Sequence, residues 1–286
     1  DWSSDVCSSD LTALDHISFE VGTGEVHGLV GENGAGKSTL IKIVSGATAK
    51  DQGSIFVAGE EVEYSSPLDA RNLGISVVYQ ELSLISNLTV AENIFLGHEP
   101  VLRSGFVDWE TMFQLSEERL SALGLQVDPR MMVRHLSIAQ AQMVEIAKAL
   151  SANARIIFLD EPTAVLSKRD ADVLFNTIRS LKEKGITFIY VSHRLEEIFG
   201  ITDRVSALLV GRLVDTVPTC TLDKEKLIRM MVGREVKDVQ RTQAPEHQDS
   251  PFVCLKDVRY AENCRGVNLK VSKGEILGVA GLVGSG

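Results

Sequence analysis

The chain has 286 residues, 44% hydrophobic and 24% charged, with a formal net charge of −10 and four cysteines. That composition fits one large or two modest globular domains, and its acidic balance argues against a protein that tracks a nucleic-acid backbone through a basic field. No apolar run approaches the roughly 18 residues that a membrane-spanning helix requires.

Residues 1–10, DWSSDVCSSD, lack periodicity and back-translate to a sequencing-library adapter, so they read as an artefact and are set aside from fold reasoning. Trp2 and Cys7 leave the functional argument with them. Setting aside Asp1, Asp5 and Asp10 leaves the charge at −7, still acidic. The remaining cysteines, Cys220, Cys254 and Cys264, are odd in number and lack metal-ligand spacing, as expected of free thiols in a reducing compartment.

From residue 17 the chain alternates between strand and helix patterns. ISFEV (17–21), EVHGLVG (25–31), ISVVYQ (75–80), RIIFLD (155–160) and ITFIYVSH (186–193) read as strands. GKSTLIKIVSG (36–46) and SKRDADVLFNTIRSLKEKG (167–185), the latter closed by Gly185, read as helices. The alternation predicts an α/β fold with a mainly parallel sheet covered by helices on both faces. Residues 85–152, between the strands at 75–80 and 155–160, carry helical patterns and predict a helical subdomain. Residues 236–250 are polar and aperiodic, which marks a linker.

Beyond the linker the sequence repeats itself. HISFEVGTGEV (16–26) runs parallel to GVNLKVSKGEI (266–276), with Ile17, Phe19 and Val21 in phase with Val267, Leu269 and Val271. VHGLVGENGAG (26–36) is likewise matched by ILGVAGLVGSG (276–286). The repeat predicts one full domain over 11–235 and the truncated start of a second over 251–286, in a protein cut short at both ends.

The strongest chemical signal is GENGAGKST, which runs Gly31, Glu32, Asn33, Gly34, Ala35, Gly36, Lys37, Ser38, Thr39. It fits G-x-x-x-x-G-K-[ST] between an apolar strand and a helix, the context of a phosphate-binding loop. The glycines let successive backbone N–H groups face phosphate oxygens at a helix N-terminus. In such a loop Lys37 reaches the β- and γ-phosphates of ATP and the Ser38 hydroxyl ligates Mg²⁺. Asp160 ends the run RIIFLD, where its carboxylate emerges at a strand's C-terminal edge and suits magnesium, and the adjoining Glu161 is placed to polarise an attacking water.

These motifs, taken in order, resemble the nucleotide-binding subunits of ABC transporters. The resemblance rests on GENGAGKST, Gln80 in VVYQE, a signature-like LSIAQ (136–140), FLDEPT (158–163), AVLS (164–167) and His193 in YVSHRLEEI. It implies a RecA-like P-loop core with an antiparallel β subdomain and a helical subdomain, followed by a second copy. It also implies that Gln80 contacts magnesium or the attacking water, that His193 holds the γ-phosphate, and that Ser137 completes an opposite nucleotide site in trans. The tandem units, GFVDWETM, LSIAQAQMVEIAKAL, MMVGRE and GLVGSG narrow the likeness to importers of simple sugars of the ribose, galactose and xylose type.

Such a likeness implies a peripheral subunit on the cytoplasmic face of the membrane, bound to integral permease subunits. An extracytoplasmic sugar-binding protein acts indirectly, nucleic acid is not a partner, and a second ATPase half is supplied in cis or by a homodimer. Two departures from the family pattern stand out. The usual signature glycines are Ile138 and Ala139 here, which predicts a weaker site where this segment closes. The aromatic residue that stacks on adenine in the family falls near position 8, inside the adapter-like stretch. A nucleoside importer of similar architecture stays open as an alternative. A ribosome-associated tandem ATPase fits less well, lacking a long charged linker and a glycine-containing signature, and Glu161 and His193 argue against a sensor that binds ATP without turnover.

Overall fold

Strands covered on both faces carry apolar residues at almost every position, and the central strands follow that rule. All five residues of β1 (Val26–Val30) are buried. The computed structural model describes residues 12–233, 251–260 and 264–280. The chain divides into two units, 1–236 and 237–286.

In the first unit β1 leads into α1 (Lys37–Val44), a short antiparallel pair β2 (Ile55–Val57) and β3 (Glu60–Val62), then α2 (Pro67–Asn72) and β4 (Ile75–Val78). The helices α3 (Val90–Phe95), α4 (Trp109–Ala122) and α5 (Ile138–Ser151) follow, and then β5 (Ile156–Asp160) and α6 (Lys168–Glu183). The unit closes with β6 (Thr187–Val191), α7 (Leu195–Ile201), β7 (Arg204–Leu209), β8 (Arg212–Pro218) and α8 (Lys224–Val232).

The sheet order is β4-β5-β6-β1-β7-β8. Every pairing is parallel except β7 with β8. Side chains alternate between two cores, as the period of two requires. Val26, Val30, Ile157, Leu159, Phe188 and Tyr190 enter one with residues of α3 to α7, while Leu29, Phe158, Ile189 and Val191 enter the other with Ile41 of α1 and Ala70 of α2. Burying each Leu, Ile, Val or Phe side chain contributes about 1.5–3 kcal/mol. Because four parallel strands, β4, β5, β6 and β1, end on one edge of the sheet, the loops that follow them share that edge.

The predicted helical region holds three helices with local start signals. Thr89 and Glu92 form a capping box on α3, Asp108 caps α4, and Ser137 with Gln140 forms a capping box on α5. A fully buried Asn93 ties the entry loop to α3. Its Oδ1 accepts from the Ile85 amide at 2.7 Å, and its Nδ2 donates to the Ile85 and Thr89 carbonyls at 3.0 and 2.9 Å. Glu145 of α5 accepts from the amide and hydroxyl of Ser83 at 2.5 and 2.9 Å, anchoring the segment that follows Gln80.

One strand expectation fails. Residues 17–21 are not a strand, although Ile17, Phe19 and Val21 are half-buried and Ser18 and Glu20 exposed, as the alternation implies. Alternation reports burial, whereas a strand also needs a hydrogen-bonded neighbour. Among the described residues no strand pairs with this segment. In the second unit the matching segment does have a partner. β9 (Pro251–Tyr260) pairs antiparallel with β10 (Cys264–Ser272), with Leu269 opposite Leu255 and Val271 opposite Val253. Residues 281–286, the expected start of a second glycine loop, lie outside the described residues. So do the whole of the linker and the position expected for an adenine-stacking aromatic.

Candidate active site

The loop between β1 and α1 is shaped by what its glycines exclude. A Cβ on Gly31, whose φ is 154°, would sit 2.3 Å from the Leu208 carbonyl oxygen. On Gly36, with φ 104°, a Cβ would lie 2.6 Å from Leu14 Cδ2 and 2.9 Å from the Ala13 oxygen. No side chain fits either place, so the chain curls tightly into the N-terminus of α1. There free N–H groups and the helix dipole favour an anion. Glu32, Asn33, Gly34 and Ser38 are exposed, Gly36 and Thr39 are half-buried, and Ala35 is buried with its carbonyl accepting from the Gly211 amide at 3.0 Å.

Lys37 is 8% exposed, and its Nζ donates to the carbonyls of Gly31 and Glu32 at 2.7 and 2.9 Å. The ammonium is thereby folded back over the loop's own backbone. Asp160 stands at the end of β5, which is separated from β1 by β6. Burial lowers the Lys37 pKa, against the upward pull of Glu161 and Asp160. Burial and the charge of Glu161 raise the Asp160 pKa, against the pull of Lys37. Each group therefore sits in a place that penalises its charge and lacks full compensation.

Glu161 follows in a left-handed conformation, φ 46°, with its amide donating to the Val191 carbonyl at 2.9 Å. A non-glycine residue in that region carries strain of order 1–3 kcal/mol, which surrounding contacts must hold. Its Oε1 lies 2.9 Å from His193 Nδ1. His193 itself is exposed, two residues beyond the end of β6.

The fold therefore brings Lys37, Asp160, Glu161 and His193 together on the C-terminal edge of the sheet. Gln80 is exposed, two residues past β4, and makes no hydrogen bond among the described residues. Ser137 is exposed at the start of α5, where its hydroxyl accepts from the Gln140 amide at 3.2 Å. An ammonium and a carboxyl pushed toward neutrality, beside an exposed serine hydroxyl, fit a polyanion carrying a divalent cation. Phosphate oxygens would favour the charged Lys37, and a cation would favour the charged Asp160.

A family profile described as ABC transporter matches residues 14–164. The chain belongs to the ABC transporter family. A ribose import ATP-binding protein of Rubrobacter xylanophilus is 49% identical over 279 residues, which cover 96% of this chain and 55% of the relative. A ribose import ATP-binding protein of Burkholderia ambifaria is 46% identical over 283 residues, covering 96% of this chain and 54% of the relative. The chain thus spans about half the length of the curated relatives it matches. Among solved structures, an ATP-binding cassette of an ABC transporter in its ADP conformation superposes with a TM-score of 0.67 at 28% identity, covering 78% of this chain and 93% of that one. A nucleotide-free cassette of an ABC transporter matches with a TM-score of 0.64 at 27% identity, covering 78% and 89%.

The fold of this ABC cassette is as its motifs led one to expect: a parallel P-loop core with added antiparallel strands and helices. What sequence reading missed is a set of buried polar residues behind the site. Thr163, Tyr190 and Ser192 all direct hydroxyls at Glu197 of α7. The motif YVSHRLEEI contains two adjacent glutamates, and nothing in it distinguishes the exposed Glu196 from the buried Glu197. The other histidines among the described residues divide in the fold. His27 is fully buried between Glu25 and Ser206, and His98 hydrogen-bonds Ser151, whereas His16 and His135 are exposed.

Proposed function

We propose that this chain is the first ATPase half of a subunit that hydrolyses ATP to drive import of a monosaccharide through a membrane permease. The observation that carries this reading is the convergence of Lys37, Asp160, Glu161 and His193 on one sheet edge beside a loop that only glycine can form. The loop amides and Lys37 bind and neutralise the phosphates. Glu161 takes the proton of the attacking water, and His193, 2.9 Å away, orients that carboxylate and the γ-phosphate beside it.

Asp160, Ser38 and Gln80 are the residues that would hold Mg²⁺, which supplies charge neutralisation across the β- and γ-phosphates. Gln80 lies three residues before Ser83, which is anchored to Glu145 of α5, so a change at the nucleotide has a route into the helical region and from there to a permease. Ser137 and its neighbours Ile138 and Ala139 serve an opposite nucleotide site, and the side chains at 138 and 139 make that site the weaker one. The sugar specificity of the reading is supported by the names of the relatives. The domain reading is a first ATPase domain over 11–235, with its helical subdomain at 85–152, a linker over 236–250 and the start of a second ATPase domain at 251–286. The complete subunit sits on the cytoplasmic face of the membrane.

The test is reconstitution of the full-length subunit with its permease and binding protein in liposomes. ATP-dependent uptake of labelled ribose, galactose or xylose is the expected result. Uptake of nucleosides instead would support the alternative importer, and ATP hydrolysis indifferent to every permease would overturn the transport reading.

A further inference from the structure

Four donors converge on one buried carboxylate behind the Glu161–His193 pair. Glu197, in the first turn of α7, is 7% exposed. Its Oε1 accepts from the Thr163 hydroxyl at 2.7 Å and from the Arg194 guanidinium at 3.3 Å. Its Oε2 accepts from the Tyr190 and Ser192 hydroxyls, both at 2.8 Å. Ser192 in turn accepts from the Arg194 amide at 3.0 Å. Thr163, Tyr190 and Ser192 are themselves almost wholly buried.

Three of these donors, Thr163, Ser192 and Arg194, come from the two loops that carry the chemistry, and Tyr190 lies in β6. Thr163 lies two residues after Glu161, and Ser192 immediately precedes His193. A buried carboxylate is tolerated only when its lone pairs are satisfied, and a fully satisfied network is rigid. As a first-turn carboxylate of α7, whose N-cap Arg194 makes no side-chain cap, Glu197 also suits the helix dipole, but that role requires neither its burial nor its four donors. The left-handed Glu161 backbone also needs ties on both sides to persist. On one side the Glu161 amide bonds Val191, on the other its carbonyl accepts from the Ala164 amide at 3.1 Å, and the Thr163–Glu197 bond ties that turn to α7.

We propose that Glu197 is a positioning residue for hydrolysis, locking the loop after β5 to the loop after β6 so that Glu161 and His193 stay within hydrogen-bond reach. The proposal rests on the reading of Glu161 as the base. Glu197 touches neither nucleotide nor water in this account, and acts only through the pair it holds.

The test uses the full-length protein assembled with its permease, measuring kcat, KM for ATP and Tm. Glu197→Gln and Thr163→Val should each lower kcat by about 10-fold or more while KM moves by less than about 2-fold, the signature of lost transition-state geometry. In a His193→Ala background, Glu197→Gln should remove less than about a further 2-fold, because residues acting as one unit are not additive. Wild-type kcat in Glu197→Gln, or a full multiplicative loss in the His193→Ala background, would overturn the proposal. Should Glu197→Gln fail to fold, Thr163→Val in the two backgrounds decides by the same criteria. Glu161→Gln and His193→Ala run alongside. If these two keep wild-type turnover the reading of the site itself has failed and the proposal with it, whereas if they lose turnover and Glu197→Gln does not, the positioning role alone is wrong.

Discussion

Lys37 Nζ donates to the carbonyl of Gly31 across 2.7 Å, closing the phosphate loop on itself. The same ammonium is buried and held below its ordinary pKa by that burial, so its surroundings disfavour a charge that phosphate oxygens would favour. Lys37→Ala should therefore weaken Mg-ATP binding by at least about 10-fold, since a charge-assisted bond is worth about 1.5–3 kcal/mol, with little loss of thermal stability. Gly31→Ala should behave differently. Its new Cβ would meet the Leu208 oxygen at 2.3 Å, so both Tm and ATP binding should fall. Calorimetric titration and thermal denaturation separate the two outcomes, and unchanged binding in both variants would remove the loop from the site.

Asn93 offers a stability prediction that is independent of chemistry. All three of its side-chain hydrogen bonds serve the loop into α3, and the residue is fully buried. Asn93→Ala leaves the Ile85 amide without its partner, at a cost of about 1–3 kcal/mol, while the Ile85 and Thr89 carbonyls still accept from the Leu88 and Asn93 amides. A drop in urea-unfolding stability of at least about 1 kcal/mol is expected. An unchanged midpoint would mean that the loop repacks or hydrates without it.

His27 supplies the pH dependence. It is fully buried, bonded to Glu25 at Nδ1 and to Ser206 at Nε2, both at 2.8 Å, and stacked on Phe19. Burial lowers its pKa below 6.5, opposed by Glu25, while Arg204 lowers it further. The unfolded chain thus binds the proton more readily than the folded one. The stability it contributes is full above 6.5 and is lost as pH falls through the lower folded value. His98, lowered chiefly by burial, acts in the same sense. Tm measured from about pH 7.5 down to 5 should decline, and His27→Gln should flatten part of that decline. An identical slope in the variant would contradict the assignment.

The parts of this molecule that were legible in the sequence are those whose partners are near in the chain or whose environment is uniform. β5 and β6 announce themselves because both faces are buried, which leaves continuous apolar runs. The phosphate loop is legible because its geometry is local and its glycines are sterically required. GFVDWETM, met in the sequence as a family marker, resolves physically into a turn at Gly105 and an Asp108 cap on α4. Strand ends were less legible. ISVVYQ leaves the sheet after Val78, which frees Gln80 to stand exposed. Glu197 was illegible because its burial is imposed by Thr163, 34 residues away, and by a tyrosine that reads as ordinary core.

The measurement that bears most directly on the whole account is ATP binding and phosphate release by wild-type and Glu161→Gln full-length protein, assembled with the permease. Glu161 carries no hydrogen bond to Lys37 or to the loop among the described residues, so the amide variant should bind Mg-ATP as wild type does. Its phosphate release should fall by about 10²- to 10⁴-fold, the usual contribution of a positioned base. Binding retained with release undiminished would show that Glu161 is not the base of a working site, and that hydrolysis is carried out elsewhere in the protein.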